Sequence, residues 1–216
     1  MFNTSNSIKI YHIIHINRLE SVLSDGYLFS DAQMSQRTNM GYSIGMNKIK
    51  QRRLEKHLAS FPDLTVGQCV PFYFCPRSVM LYVISRKNNP DLSYSEGQDK
   101  VIHLVFDLNE VLAWAKNNNL RTCFTTSNAG SSYFDDYSDC SRIPSIIDWN
   151  SVNSSYWFDK DIREKKQSEF LVENRLLVNL IEYIGVYDAQ SLDKVQNMLS
   201  NFKISVVVEQ RKDWYY

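Results

Sequence analysis

Glu164-Lys165-Lys166-Gln167-Ser168-Glu169-Phe170-Leu171-Val172 is a charged approach to a strand-like run that opens with a carboxylate. Phe170 to Val172 should be buried, and an unpaired carboxylate pointing inward at its mouth costs several kcal/mol. Glu169 is therefore expected to point into a cleft. Fixed at a strand start, it can hold a sugar hydroxyl and stabilise positive charge that develops beside it. The competing reading is a solvated glutamate at a strand edge, and this segment alone favours that one. The segments around it change the balance.

Upstream, residues 8–16 read as a strand rich in Ile and Tyr, and Asn17 is placed to cap a short helix that carries Leu19, Val22 and Leu23 on one face and stops at Gly26. Residues 27–29 read as a return strand, residues 34–45 as a polar segment of mobile character, and residues 47–58, dense in Lys and Arg, as a helix. Further strands are expected at 70–74, 81–85, 101–106, 122–125, 181–187 and 204–208, with helices at 109–118, begun by Asp107 or Asn109, and at 191–201. Residues 128–145 are rich in Asp and Tyr and read as a surface loop. Short strands with few strict β-α-β alternations predict an α+β fold with a mixed or antiparallel sheet. No repeat or linker divides the chain, so residues 1–216 are expected to form one compact domain. There is no Gly-x-Gly-x-x-Gly or Walker loop, so any dinucleotide is held without a Rossmann fingerprint.

The composition excludes several classes. With 44% hydrophobic residues and only 7 Gly and 5 Pro, disorder and low complexity are not expected. A formal net charge of +0 creates no global field, so nucleic-acid binding must rest on a local patch. Cys69, Cys75, Cys123 and Cys140 include no C-x-x-C pair, and of the histidines only His12 and His15 are close, so no metal site is expected. No run reaches membrane-spanning length and no signal peptide opens the chain, which points to a cytoplasmic protein with reduced thiols and no membrane partner.

Three constellations stand out. In Tyr11-His12-Ile13-Ile14-His15-Ile16-Asn17 a strand turns His12 and Ile14 one way and Ile13 and His15 the other. One histidine then sits in the core and one at the surface, or a histidine with neighbouring amides holds a ribose and an amide group. In the run from Lys48 to Lys56 the cations form either a solvated helix face or a phosphate-binding surface. In the run from Val70 to Tyr82 core packing accounts for Phe72, Phe74 and Leu81. Tyr73 and Arg77 fit a stacking platform with a cation.

Taken together, Tyr11 to Leu19, Ile49 to Arg53, Val70 to Ser78, Lys165 to Val172 and the tail from Arg211 to Tyr216 resemble, in order, the motifs of DarT, the DNA ADP-ribosyltransferase toxins of DarT–DarG toxin–antitoxin systems. The resemblance implies a fold related to the poly-ADP-ribose polymerases and diphtheria-like toxins. It also implies transfer of ADP-ribose from NAD+, used as a substrate without a metal, to thymine N3 in single-stranded DNA, and reversal by a DarG-type macrodomain antitoxin. It makes Glu169 the catalytic glutamate and Arg53 the catalytic arginine, and places His12, Ile14, His15, Asn17, Arg53, Tyr73 and Met80 at the NAD+. DNA contacts are expected from Lys48, Lys50, Arg52, Arg77, Asn128, Arg163, Lys165 and Lys166. The family often carries Phe-Thr-Asp-x-His, where this chain reads Phe124-Thr125-Thr126-Ser127-Asn128, which puts sequence preference or rate in doubt.

Thymine N3 has a pKa of roughly 10, like a tyrosine phenol, so its proton must be drawn away during attack. The resemblance gives that task to Arg53, although a guanidinium is nearly always protonated. Base and electrostatic stabiliser both stand at this stage. The same NAD+ motifs would also serve a transferase of RNA or protein, and a binding module with a decayed site is disfavoured by the presence of both Glu169 and Arg53.

Overall fold

The computed structural model describes residues 7–37 and 43–216. The chain runs β1 (Lys9–His15), α1 (Leu19–Asp25), β2 (Tyr27–Phe29), α2 (Asp31–Ser35), α3 (Asn47–Glu55), β3 (Cys69–Tyr73), α4 (Val79–Arg86), β4 (Val101–Asp107), α5 (Leu108–Asn117) and β5 (Thr122–Thr125). It continues through β6 (Asp136–Tyr137), α6 (Ile143–Ile146), α7 (Trp149–Asn153), α8 (Lys160–Lys165), β7 (Glu169–Glu173), β8 (Arg175–Leu177), β9 (Ile181–Val186), α9 (Ala189–Asn201) and β10 (Val207–Gln210).

Eight strands form one sheet in the order β10-β9-β4-β1-β3-β7-β5-β6, antiparallel except for the parallel pair β9–β10. β2 and β8 make a separate ribbon. This is the expected α+β class with a mixed sheet. β4 lies near its centre and is buried at every position from Val101 to Phe106, as a strand covered on both faces must be. Leu104 and Phe106 join the larger core with Phe72, Phe124 and Phe170. Val101 and Val105 face a second cluster built on Leu81, Ile84, Trp214 and Tyr215. Trp214 lies so close over β9 that a Cβ at Gly185 would sit 2.4 Å from its ring.

Three expectations need correction. Residues 81–85 are not a strand but part of α4, where the Ser78 hydroxyl caps the helix by accepting from the Leu81 amide at 3.2 Å. Leu81 and Ile84, at helical spacing, are its buried face. Asn17 caps nothing. The His15 ring accepts from the Asn17 amide at 3.2 Å, and the Asn17 side chain takes the Lys194 ammonium at 2.6 Å. The last strand lies at Val207–Gln210, later than 204–208. The segment expected to be mobile, 34–45, includes residues 38–42, which lie outside the described residues.

Candidate active site

Antiparallel pairing sets Tyr73 beside Glu169 and Tyr11 beside Tyr73, so the first turn of β7 is level with the middle of β1. Against the start of β7 lies α3, whose close approach depends on Gly67. A Cβ there would stand 2.7 Å from Leu54 Cδ2 and 2.8 Å from its Cα and amide nitrogen. The helix thereby brings Arg53 onto Glu169. The guanidinium donates from Nη1 to Oε1 at 3.0 Å and from Nη2 to Oε2 at 2.8 Å, with Arg53 8% and Glu169 3% exposed.

Burial by itself lowers the Arg53 pKa, but the charge and hydrogen bonds of Glu169 outweigh it and hold the guanidinium above its ordinary value. Tyr73 is pushed up, first by burial and then by the Glu169 charge. His12 donates or accepts at Nδ1 against the Pro71 carbonyl oxygen at 2.7 Å, and because a carbonyl only accepts, Nδ1 carries the proton. Burial lowers the His12 pKa despite that hydrogen bond, so the ring is neutral and Nε2 is an acceptor.

The loop after β5 also reaches the carboxylate. The Thr125 hydroxyl accepts from the Glu169 amide at 3.1 Å and donates to the Ser127 carbonyl at 2.6 Å. The Ala129 amide donates to Glu169 Oε1 at 3.1 Å. Oε1 thus takes two donors, whereas Oε2 takes only Arg53 among the described residues and keeps a lone pair for a hydroxyl. Glu169 is thus not a solvated strand-edge glutamate but a buried carboxylate paired with Arg53.

Thr125 and the Ala129 amide were not among the expected site residues. Thr125 could have been found from its place in Phe-Thr-Thr beside the departing motif, but a backbone amide leaves no signal in a sequence.

Other expected residues divide. Met80 lies in α4 and packs against the second cluster, and Ile14 is a core residue. His15 and Asn17 line a separate cavity of about 190 Å³ with Glu96, Lys100, Gln190, Ser191 and Lys194, away from Arg53 and Glu169. β1 turns His15 toward this cavity's wall, 3.4 Å from Glu96.

Arg77 lies 4.4 Å over the Tyr216 ring, so its flat face is spent inside the protein. Lys166 is a clear correction to the expected phosphate contacts. It is only 3% exposed, and its ammonium donates to the Val152 carbonyl at 2.7 Å. Lys48 pairs with Asp91, Lys50 with Asp31, and Lys165 with Asp161 and Asp148. Arg52 is exposed and Arg163 half-buried, and neither has an ion-pair partner among the described residues. Asn128, half-buried, donates to Gln167.

Beside the site, a cavity of about 340 Å³ is lined by Lys56, Thr126, Ser127, Ser132, Tyr133, Phe134 and Asp135. No group of His, Cys, Asp and Glu among the described residues could hold a metal, and no described helix is long and apolar enough to cross a membrane. What the geometry offers is a rigid carboxylate backed by a fixed cation, a set suited to stabilising a developing oxocarbenium charge.

A family model for "ssDNA thymidine ADP-ribosyltransferase, DarT" matches residues 11–216. A DNA ADP-ribosyl transferase of Thermus sp. (strain 2.9) is 34% identical over 96% of this chain and 95% of that protein. Among solved structures, Thermus sp. 2.9 DarT in complex with ADP-ribosylated ssDNA superposes with a TM-score of 0.86 at 33% identity, covering 100% of both chains. The same Thermus protein in complex with NAD+ gives a TM-score of 0.82 at 31% identity, covering 99% of this chain and 100% of that one.

Proposed function

The chain belongs to the DarT family of single-stranded DNA ADP-ribosyltransferases, and on that premise we propose that it transfers ADP-ribose from NAD+ to thymine N3 through the pocket around Glu169 and Arg53. It is an NAD+-dependent DNA ADP-ribosyltransferase, with NAD+ consumed as substrate and single-stranded DNA as acceptor. The observation that carries the residue-level reading is the buried, bidentate Arg53–Glu169 pair at the mouth of β7.

Cleavage of the ribose–nicotinamide bond releases neutral nicotinamide and leaves positive charge at the ribose anomeric carbon. Glu169, accepting from the ribose 2′-hydroxyl at Oε2, stabilises that charge. The thymine N3 then forms the new bond to the anomeric carbon and loses its proton to a solvent water molecule. Arg53 is held above its ordinary pKa, so its role is electrostatic: it stabilises the anion that develops across N3 and O4. His12 and Tyr73 line the NAD+ site, with neutral His12 Nε2 an acceptor for a sugar hydroxyl. Single strands are the substrate because N3 lies on the pairing edge, and a duplex would add an unpairing cost of a few kcal/mol.

The modified base cannot pair, so the activity blocks replication and makes the protein a toxin. A DarG-type macrodomain partner that removes the mark completes the pair, and both act in the cytoplasm, where the DNA is. The whole chain acts as one catalytic unit.

The test is incubation with NAD+ and short single-stranded oligonucleotides, half of them lacking thymine, followed by mass spectrometry. The expected result is a gain of one ADP-ribose on thymine-containing strands alone. A gain on guanine-only strands overturns the base, and a gain confined to RNA or protein acceptors overturns the acceptor class.

A further inference from the structure

Around Glu169, a chain of side-chain hydrogen bonds ties three elements together. The Gln167 amide donates to the Arg163 carbonyl in α8 at 3.0 Å. Its oxygen accepts from Asn128 Nδ2 at 2.9 Å, and Asn128 Oδ1 accepts from the Gly130 amide at 2.7 Å. The Asn128 amide group thus works as donor and acceptor at once, both times inside the protein.

What this chain holds is the peptide between Asn128 and Gly130. Its other residue, Ala129, donates its amide to Glu169 Oε1, while Gln167 stands two residues before Glu169 on the same approach to β7. Gly130 presses on α3: a Cβ there would stand 3.1 Å from Ile49 Cγ2 and 3.0 Å from Asn128 Oδ1. The turn therefore has little room to move relative to the helix that carries Arg53. We propose that Asn128 is a positioning residue, which through Gln167 and the Ala129 amide sets the Glu169 carboxylate for cleavage of NAD+, and is not a contact to DNA.

This rests on the NAD+ chemistry assigned to Glu169 above, and it makes a distinction that DNA contact does not. A positioning residue affects Glu169 whether the acceptor is thymine or water. A DNA contact affects only transfer.

The experiment uses the full chain and two assays, NAD+ hydrolysis without DNA and transfer to a thymine oligonucleotide, on wild type, Asn128→Ala, Gln167→Ala and the double variant. Displacement of a reacting group by about 1 Å can cost ~10²-fold. Asn128→Ala is accordingly expected to lower kcat in both assays by a similar factor, roughly 10- to 100-fold, with the oligonucleotide KM unchanged. Gln167→Ala should do the same, and the double variant should be no slower than the slower single one, because both break one chain.

Asn128→Asp keeps the acceptor for Gly130 and loses the donor to Gln167. It is the second variant, should Asn128→Ala fail to fold, and the same parallel loss in both assays is expected of it. A loss of transfer with hydrolysis intact, a raised oligonucleotide KM, or multiplicative losses in the double variant each overturn the positioning role while leaving the activity standing. A wild type inert toward NAD+ in both assays overturns the activity and the positioning role together.

Discussion

Arg53 and Glu169, 116 residues apart in the chain, form a bidentate ion pair that solvent barely touches, at 3.0 Å and 2.8 Å. Each charge is tolerated there because the other is present. Removing one partner of such a pair costs about 3–5 kcal/mol, since the remaining charge stays buried without compensation. Glu169→Ala is therefore expected to lose both activity and stability, which confounds the two. Glu169→Gln keeps the volume and one acceptor for the guanidinium. It should lose transfer by about 10²-fold or more, with a smaller drop in urea midpoint than the alanine variant. Full transfer by Glu169→Gln would remove Glu169 from the chemistry.

The pair depends on how close α3 lies to the segment before β3. At Gly67 an added Cβ meets the Cα and amide nitrogen of Leu54, backbone atoms that cannot swing aside. Gly67→Ala should cost about 1–3 kcal/mol and reduce kcat, because Arg53 is the neighbour of Leu54. Gly45→Ala is the control. Its Cβ meets only the flexible end of Lys50, at 2.8 Å from Cε, and should be close to neutral. Equal effects of the two substitutions in denaturant titration would refute this account of the helix position.

Much of this arrangement could be read from the chain, and the exceptions have physical reasons. The continuous apolar run of β4 and the strand opened by Glu169 are determined by burial alone, which a sequence pattern reports directly. The segment 81–85 looked like a strand because its apolar run is short. Its helical state depends on the Ser78 cap and on Leu81 and Ile84 meeting the second cluster, which are tertiary facts. Glu169 and Arg53 were legible as a couple only through the motif resemblance, since nothing local links residues so distant. Lys166 was misplaced for the opposite reason: within Lys165-Lys166 both side chains look like surface cations, yet only one carbonyl, that of Val152, decides which turns inward.

Acid should weaken the fold through His103. The ring is fully buried, hydrogen-bonds at Nε2 to the Pro76 carbonyl at 3.0 Å, and is lowered by burial to a pKa of about 4. The unfolded chain, with an ordinary histidine near 6.5, then binds a proton more readily than the native state between those values. Stability contributed by the neutral ring is complete above about pH 6.5 and is lost as pH falls toward 4, by roughly 3 kcal/mol over the window. Burial also lowers His12 and His15, which adds loss of the same sign. Denaturation midpoints should fall from pH 7.5 to 4.5, and His103→Gln should flatten that slope. A slope unchanged by the substitution would assign the acid sensitivity to other groups.

The basic residues near the site should separate by salt dependence rather than by affinity alone. Each phosphate neutralised on a single strand contributes about −0.7 to the slope of log K against log salt. Arg52 stands exposed on α3, and Arg163 on α8 has its guanidinium free of any ion pair among the described residues. Removing either should reduce the slope by about that amount and weaken binding to all sequences alike. Lys48, Lys50 and Lys165 already hold carboxylates, so their removal should change the slope less. Lys166 cannot reach a phosphate from its buried position, and Lys166→Met leaves the Val152 carbonyl without its donor. That variant should lose about 1–3 kcal/mol of stability with the salt slope unchanged. A reduced slope for Lys166→Met would mean that the segment before Glu169 opens to let the ammonium out when DNA binds.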